Sequence, residues 1–348
     1  MGLRLGDIAE RLGADLLGDP DYEIREVCDW HLAGEAGEGL LAFETRSRPG
    51  AEFMASPVRA LIVAEEPGAE VREGKHYLVH RDPRLAFAVV AGLLHPDPRA
   101  VEHFVHPSAF VEDGAQLEAP VHVGPLCVIG AGARVGSGTV LVAQCHVGAG
   151  TVLGRDCVVQ PFAAILGGAV LGDRVYVEAG CVVASEGFGN ARQDGRFVRI
   201  PHLGKARVED DVRLGANACV DRGALGDTVV EEGARIDNLV QIGHNCVVGA
   251  HAGLAGLVGL AGSTRIGKRC LIGGQAGFAG HLGVAADSVI GAMTGVPSSL
   301  EEPGFYLGVP ARPARDTKRM WAAQHRLPDL LRRIDQLEKR IAELEGDA

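Results

Sequence analysis

Aliphatic residues recur at every sixth position through the middle of the chain. The first run is Val105, Val111, Leu117, Val123, Ile129, Val135, Leu141, Val147, Leu153, Val159, Ile165, Leu171, Val177 and Val183. The repeat breaks over ASEGFGNARQDGRFVRIPHLGKAR and resumes at Val208, Leu214 and Val220. It slips by four residues across DRGALGDT and then continues from Val230 to Val296. A period of six matches neither the α-helix, with 3.6 residues per turn, nor an ordinary strand, with period 2.

Three hexads that close one triangular coil of about 18 residues explain this period, because each hexad then supplies one short strand and one turn. Coils stack about 4.8 Å apart, so the aliphatic residues form ladders inside a prism. Several ladder residues, such as Val123 and Ile129, are followed directly by glycine. Glycine suits a corner that needs a positive φ or a close approach of two backbones. The pattern predicts a mainly β protein with a parallel β-helix over residues 101–310.

The cysteines support this register. Six of them lie two residues before a ladder aliphatic, on the inward side of a strand: Cys127, Cys145, Cys157, Cys181, Cys246 and Cys270. The chain contains no CxxC motif, which disfavours disulfide and zinc-ribbon interpretations. We therefore expect buried, reduced thiols, as in a cytosolic protein.

The two flanking segments lack the six-residue repeat. Residues 1–100 contain a predicted helix at LGDIAERLGA, strand-like runs at ALIVAE and HYLVH, and the segment DPRLAFAVVAGLLHP, which begins and ends with helix start and stop signals. These features indicate a small α/β domain. Residues 311–348 carry a helix whose apolar stripe alternates spacings of three and four: Leu327, Leu330, Ile334, Leu337, Ile341 and Leu344. Such a stripe either packs on its own solenoid or drives self-association about an axis, and we favour self-association.

Composition and charge narrow the classes of function. With 34 Lys and Arg against 45 Asp and Glu, the net charge of -11 argues against a protein that coats nucleic acid. The N-terminal stretch MGLRLGDIAERLGADLLGD has charges every few residues and no long apolar segment. We expect neither a secretory signal nor a membrane span, and a cytoplasmic location.

Four segments inside and beside the repeats carry a resemblance to a known family. They are SEGFGNARQDGRFVRIPHLG, DRGALGDT, IDNLVQIGHN and GGQAGFAGHL, in this order along the chain. With them the sequence resembles the UDP-3-O-(3-hydroxyacyl)glucosamine N-acyltransferases of lipid A biosynthesis. The resemblance implies a left-handed winding, a homotrimer, and transfer of an (R)-3-hydroxyacyl chain from acyl carrier protein to the 2-amine of a UDP-3-O-acylglucosamine. The only cofactor it implies is the acyl-4'-phosphopantetheine of the carrier protein, and no metal.

Amide formation from a thioester needs a base for the proton of the amine and hydrogen-bond donors for the oxyanion. Histidine is the natural base near neutral pH. His244 lies two residues past the ladder residue Ile242, and His281 lies three past Phe278. Because Ile242 and Phe278 are two coils apart, the register places both histidines near one edge of the prism, about 10 Å apart.

The resemblance assigns roles to residues of this site. It implies that His244 is the general base, His281 a second active-site histidine, Asp237 the carboxylate that orients the base, and Gly262 the backbone oxyanion donor. It also implies that Asn238 and Gln241 contact the substrate. Asp237 and His244 follow different corners, about 13 Å apart along one strand. We therefore hypothesise that a bonded pair would come from neighbouring chains of the trimer.

The resemblance also implies where the substrate and the donor bind. Phe43 falls where the family stacks an aromatic ring on uracil. The family motif continues with Asn and Tyr, whereas this chain has Arg46 and Pro49, so we expect Arg46 to contact the diphosphate instead. Acyl carrier protein is acidic, and the predicted basic patch for it consists of Arg312, Arg315, Lys318 and Arg319. Gly295 stands where some relatives carry a bulkier side chain and suggests room for a longer acyl chain.

Three other functions remain open from the residues alone. One is a related hexapeptide transferase, which acylates a sugar hydroxyl or uses acetyl-CoA. Another is a zinc-dependent hexapeptide enzyme of the carbonic anhydrase type, which needs three converging histidines. The third is a purely structural or sugar-binding solenoid, in which His244 would be a solvated surface residue. The long N-terminal domain and the GFG insert favour the N-acyltransferase.

Overall fold

The computed structural model describes residues 2–30, 38–44, 55–66 and 74–346. The chain divides into two compact units, Met1–Asp97 and Pro98–Ala348. The second unit contains both the predicted β-helix and the C-terminal segment 311–348.

The described part of the first unit is a small α/β domain. Its elements are β1 (Leu3–Arg4), α1 (Leu5–Leu12), β2 (Asp15–Leu17), β3 (Glu23–Ile24), β4 (Glu26–Val27), β5 (Leu40–Phe43), β6 (Ala60–Val63), β7 (His76–Val79) and α2 (Pro83–Leu94). The main sheet has the order β2-β7-β6-β5-β4, in which β2 is antiparallel to β7 and the other pairs are parallel.

Both predicted N-terminal helices are confirmed, and their ends follow the capping residues. Helix α1 stops at Gly13, which adopts φ 62°. Helix α2 begins after Asp82, whose carboxylate accepts a hydrogen bond from the Leu85 N–H at 3.0 Å. Both helices contribute to one apolar core with the sheet, in which Ile8 and Val90 are buried against Leu41.

The second unit is a left-handed parallel β-helix with three faces. The first face consists of β8 (Phe104–Val105), β11 (His122–Val123), β14 (Val140–Leu141), β17 (Val158–Val159), β20 (Tyr176–Val177), β25 (Arg213–Leu214), β28 (Arg235–Ile236), β31 (Gly253–Leu254), β34 (Leu271–Ile272), β37 (Val289–Ile290), β39 (Phe305–Leu307) and β40 (Arg312–Pro313). The second face consists of β9 (Phe110–Val111), β12 (Val128–Ile129), β15 (His146–Val147), β18 (Ala164–Ile165), β21 (Val182–Ser185), β26 (Cys219–Asp221), β29 (Gln241–Ile242), β32 (Gly259–Leu260), β35 (Gly277–Phe278) and β38 (Gly295–Val296). The third face consists of β10 (Gln116–Leu117), β13 (Arg134–Val135), β16 (Val152–Leu153), β19 (Val170–Leu171), β24 (Ala206–Val208), β27 (Thr228–Val230), β30 (Val247–Val248), β33 (Arg265–Ile266) and β36 (Gly283–Val284).

The predicted ladders form the core of this prism. Except for β40, which is antiparallel to β39, each strand pairs in parallel with the strand of the next coil, as Val123 pairs with Leu141 on the first face. From Val123 to Val296 the ladder residues are buried, whereas the residue before each of them is half-buried or exposed, with Val140 and Val158 as buried exceptions. Burial of this continuous aliphatic stack supplies the main stabilisation of a solenoid, because each coil contacts only its neighbours.

The glycines that follow ladder residues serve close approach rather than positive φ. A Cβ atom on Gly124 would lie 1.8 Å from the carbonyl oxygen of Val142 in the next coil. The left-handed backbone conformation occurs two residues later at this corner, at Leu126 with φ 56°. Asn245 and His281 occupy the same left-handed position in their own coils, with φ of 61° each.

The six ladder cysteines are buried, as predicted, and the structure describes all eight cysteines as free thiols. Burial raises the pKa of Cys181 to about 12. The Cys181 thiol is therefore inert toward alkylation and exchange and acts as a small core residue.

Two interruptions of the ladder stand next to each other in the fold. The first contains a hairpin, β22 (Asn190–Gln193) paired with β23 (Arg196–Arg199). An ion pair between Glu186 and Arg199 ties the base of this hairpin together. The second is the loop 222–227, and the N–H of Leu203 donates to the carbonyl oxygen of Ala224 in it at 2.7 Å. Both interruptions leave the solenoid at its second face.

The C-terminal segment forms α3 (Ala314–Gln324) and α4 (Leu327–Gly346). The apolar stripe from Leu327 to Ile341 is about half exposed along α4, whereas Leu344 lies outside the described side chains. None of the described helices is long and apolar enough to cross a membrane.

Candidate active site

His244 lies in the turn that follows β29, half-buried beside Asn245. Its Nδ1 is 3.0 Å from the side-chain oxygen of Asn245. That amide is fixed, because its oxygen also accepts from the Ala224 N–H at 3.0 Å and its nitrogen donates to the carbonyl oxygen of Gly226 at 3.1 Å. Since Asn245 presents an oxygen, Nδ1 of the neutral imidazole must carry the proton. Nε2 of His244 is left with a lone pair that can accept a proton.

The backbone of Gly262 lies directly against this nitrogen. A Cβ atom on Gly262 would come within 2.5 Å of Nε2 of His244, so any side chain here would collide with the ring. Among the described residues, no acceptor bonds the N–H of Gly262. A base and a free backbone donor therefore stand side by side, which is the arrangement that acyl transfer requires.

A cavity of about 620 Å³ opens in front of His244. It is lined by Glu186, Gly187, Phe188, Asp221, Gln241, Gly243, His244, Leu260, Ala261 and Gly262. Phe188 is 81% exposed at its rim, and the other walls come from the interruption at 184–207 and the second face. The cavity has an apolar wall and a few polar groups that point toward one region, as is typical of ligand-binding sites.

Two polar residues of this site, Asp221 and His202, are not predicted by the sequence pattern. Asp221 is 7% exposed and accepts hydrogen bonds from the Ser185 hydroxyl and the Gln241 amide, each at 2.9 Å. The ring of His202 stands edge-on to that of His244, with centroids 5.2 Å apart. The only available signal was their place in the motifs IPHLG and DRGALGDT, at the interruptions of the repeat. Among the described residues, no group of three His, Cys, Asp or Glu is placed to hold a metal ion.

Burial raises the pKa of Asp221. The hydrogen bonds from Ser185 and Gln241 and the nearby His244 and His202 act in the opposite direction, because they favour the charged carboxylate. Carboxylates with a perturbed pKa in a cleft occur often at functional sites, which makes Asp221 a candidate functional residue.

Asp237 and Asn238 lie at a different corner, between β28 and β29. Asp237 is exposed, and its carboxylate accepts from the backbone N–H of Asn238 at 2.8 Å. The side-chain oxygen of Asn238 accepts from the Ala216 N–H at 2.7 Å. Asp237 lines a groove of about 570 Å³ on the first face, with Leu254 and Leu271 in its apolar wall. Asp237 and His244 therefore line separate cavities of one chain and do not bond to each other.

His281 stands on the edge that the register predicts. The pairing of Ile242 with Leu260, and of Leu260 with Phe278, places its turn two coils from that of His244. Its backbone N–H donates to the carbonyl oxygen of Gly262 at 3.0 Å. Its side chain is exposed and does not line the His244 cavity.

Of the residues predicted to bind the substrate, Gln241 lines this cavity. The Phe43 ring is half-buried and packs on Phe87 of α2, with ring centroids 4.5 Å apart. Arg46 lies outside the described residues. The basic residues Arg312, Arg315, Lys318 and Arg319 are all exposed at the start of α3. The Lys318 ammonium lies 5.8 Å from the centre of the Phe305 ring.

Comparison with known proteins covers the β-helix and the full chain. The family model described as GMPPB C-terminal domain matches residues 100–188. The model described as hexapeptide repeat of succinyl-transferase matches residues 205–238 and 263–301. A solved structure of an Arabidopsis UDP-N-acetylglucosamine acyltransferase superimposes with a TM-score of 0.50 at 22% identity, over 59% of this chain and 71% of that one. This likeness concerns the fold.

Two full-length relatives carry the same name. A UDP-3-O-acylglucosamine N-acyltransferase of Pseudomonas fluorescens (strain SBW25) is 40% identical over 98% of this chain and 96% of its own length. Another, from Paraburkholderia phytofirmans, is 40% identical over 100% of this chain and 95% of its own length. The similarity spans the N-terminal unit as well as the β-helix.

Proposed function

The chain belongs to the family of UDP-3-O-acylglucosamine N-acyltransferases, and from this premise we propose that it transfers an (R)-3-hydroxyacyl chain from acyl carrier protein to the 2-amine of a UDP-3-O-(3-hydroxyacyl)glucosamine in lipid A biosynthesis. The contact of His244 Nε2 with the backbone of Gly262, inside an open cavity, carries this proposal. The eight free cysteines suit a reducing compartment, and we propose the cytoplasm as its location.

The chemistry needs one base and one oxyanion donor. The amine nitrogen attacks the thioester carbonyl carbon, and Nε2 of His244 takes the proton that the nitrogen loses. The oxyanion receives a hydrogen bond from the N–H of Gly262. The C–S bond then breaks, and the pantetheine thiolate takes the proton from the imidazolium. His281, on the same edge two coils away, is proposed to contact the substrate phosphate or the oxyanion.

The remaining residues of the motif are proposed to bind the acceptor sugar. Asn238 and Gln241 lie on the turn and strand that connect the two cavities. Phe43 is proposed to stack on uracil, and Arg46 to contact the diphosphate. We assign Asp237 to the His244 of a neighbouring chain in a homotrimer, which the apolar stripe of α4 would help to assemble.

An acyl-transfer assay tests the function. We expect the purified protein to release free carrier-protein thiol and to form a hydroxylamine-resistant amide when given 3-hydroxyacyl carrier protein and UDP-3-O-acylglucosamine. UDP-N-acetylglucosamine, which offers a hydroxyl group, should be a poor acceptor. Faster turnover with the hydroxyl acceptor would contradict the proposal. Carrier proteins loaded with acyl chains of several lengths would define the preferred donor.

The basic patch predicts how the donor binds. Arg315→Glu should raise the KM for acyl carrier protein by about tenfold at low salt and leave kcat unchanged, because complementary charge acts mainly on encounter. Arg134→Glu makes the same charge change on the exposed third face and is the matched control. With acyl-pantetheine as donor, neither variant should differ from the native protein. An equal KM increase in both variants would mean that net charge, rather than the patch, is responsible.

A further inference from the structure

Asp221 is a buried carboxylate that has no role in the reaction as proposed above. It follows the ladder residue Val220 at the end of β26, where the pairing with β21 shifts register opposite Ser185. Both of its oxygens are held, Oδ1 by the Ser185 hydroxyl and Oδ2 by the Gln241 amide, at 2.9 Å each. The side chain therefore has one fixed position at the wall of the His244 cavity.

Gly187 brings this carboxylate close to the imidazole. A Cβ atom on Gly187 would lie 3.0 Å from Asp221 Oδ2, 3.0 Å from His244 Cβ and 3.1 Å from His244 Cδ2. The carboxylate oxygen and the edge of the ring are thus no more than about 6 Å apart. At this distance in a partly desolvated cleft, a negative charge acts strongly on a neighbouring positive one.

Other titratable groups also surround His244, and the centroid of the His202 ring lies 5.2 Å from that of the His244 ring. Glu186 lines the same cavity, but its carboxylate is paired with the Arg199 guanidinium. Arg222 donates from Nε to the carbonyl oxygen of Gly204 at 2.9 Å. The titratable and charged groups on the elements packed against the His244 turn are Glu186, His202, Lys205, Asp221, Arg222, Asp227 and His281. Among these described groups, Asp221 is the carboxylate that lines the cavity without a cationic partner.

We propose that Asp221 is a positioning residue of the reaction, which stabilises the positive charge that His244 acquires when it takes the proton of the amine. It also holds the Gln241 amide at the cavity wall through the hydrogen bond to Oδ2. This inference rests on the proposed function. It differs from the role of Asp237, because Asp221 acts within one chain and does not contact the imidazole nitrogens.

The test compares the pH profile of kcat/KM in Asp221→Asn with that of the native protein. We expect kcat/KM at neutral pH to fall by about 10- to 100-fold. Removal of a negative charge at this distance should weaken the stabilisation of the imidazolium by that factor. The ascending limb of the profile should move to lower pH, because loss of the anion disfavours the imidazolium. The acceptor amine titrates in the same way for every variant. A shift of the ascending limb between variants therefore reports on a group of the enzyme and not on the substrate.

Ser185→Ala is the matched control, because it removes one hydrogen bond to Asp221 but keeps the charge. Its ascending limb should stay at the native position. Asp221→Ser supplies a second uncharged variant in case the asparagine variant does not fold. A displaced limb in a folded, uncharged variant supports the inference. A native limb combined with lower thermal stability would overturn it and assign Asp221 a structural role only.

The proposed function fails in a different experiment. If His244→Ala retained native turnover, there would be no imidazolium for Asp221 to stabilise, and both proposals would fall. If His244→Ala lost turnover while Asp221→Asn left the profile in place, only the inference about Asp221 would fall. The two failures are therefore distinguishable with the same transfer assay.

Discussion

His244→Ala should lower kcat for acyl transfer by about 10²- to 10⁴-fold while leaving the fold intact. The loss is the contribution expected of a positioned general base. The fold should survive because the His244 ring makes one side-chain hydrogen bond, to Asn245, which keeps its other two bonds to Ala224 and Gly226. The measurement is the rate of carrier-protein thiol release, together with the thermal melting curve.

His146→Ala is the matched control for this substitution. His146 is an exposed histidine on β15 of the second face, the same face that carries β29. Its removal should leave the rate within about twofold of native, as for an ordinary surface substitution. Added imidazole should restore part of the activity of His244→Ala, because the cavity left by the side chain can hold a small base. A His244→Ala rate within tenfold of native would place the base elsewhere.

The β-helix could be predicted from the sequence because a closed triangular coil leaves one inward position in each hexad. Ile266 is buried and its neighbour Arg265 is exposed, as the six-residue period requires. The same register predicts that His244 and His281 lie on one edge, two coils apart, and the strand pairing confirms it. Periodicity fixes these positions because every coil repeats the geometry of the last.

The polar surroundings of His244 could not be predicted in this way. Asp221 and His202 belong to the interruptions, where no period tells which side chains turn inward. Their burial depends on how the hairpin segment and the loop 222–227 pack together, through contacts such as that between Leu203 and Ala224. Of the two reasons expected for glycine at the corners, positive φ or close approach, close approach applies at Gly124. There the carbonyl oxygen of the next coil leaves no room for a Cβ atom.

Mixed oligomers of His244→Ala and Asp237→Ala chains should regain activity that neither variant has alone. In one chain the two residues line separate cavities, so a working pair needs two chains. The groove beside Asp237 exposes apolar surface, with Leu271 58% and Val289 38% exposed. Exposed apolar surface of this kind is typical of a subunit interface. In a closed ring, one corner of each chain contacts a different corner of the next chain.

The number of complete sites in a mixed ring determines how much acyl-transfer activity is recovered. A site works only when its His244 comes from an Asp237→Ala chain and its Asp237 from a His244→Ala chain. Every mixed trimer, whether it holds two chains of one variant or two of the other, has one junction in the required order, so about one site in three meets this condition. We expect each variant alone to lose about 100-fold or more in kcat, by analogy with carboxylates that orient a catalytic histidine. Recovery to about a third of native turnover in the purified mixed trimers would therefore be clearly measurable.

The experiment uses co-expressed chains with different affinity tags, so that only mixed oligomers are purified. The matched control pairs His244→Ala with the double variant Asp237→Ala/His244→Ala, which cannot rebuild any site and should stay inactive. A mixture that remains at the level of its separate components would contradict an active site shared between chains. Because both mixtures carry substitutions in the same two turns of the solenoid, a difference between them reports on the pairing of side chains rather than on assembly.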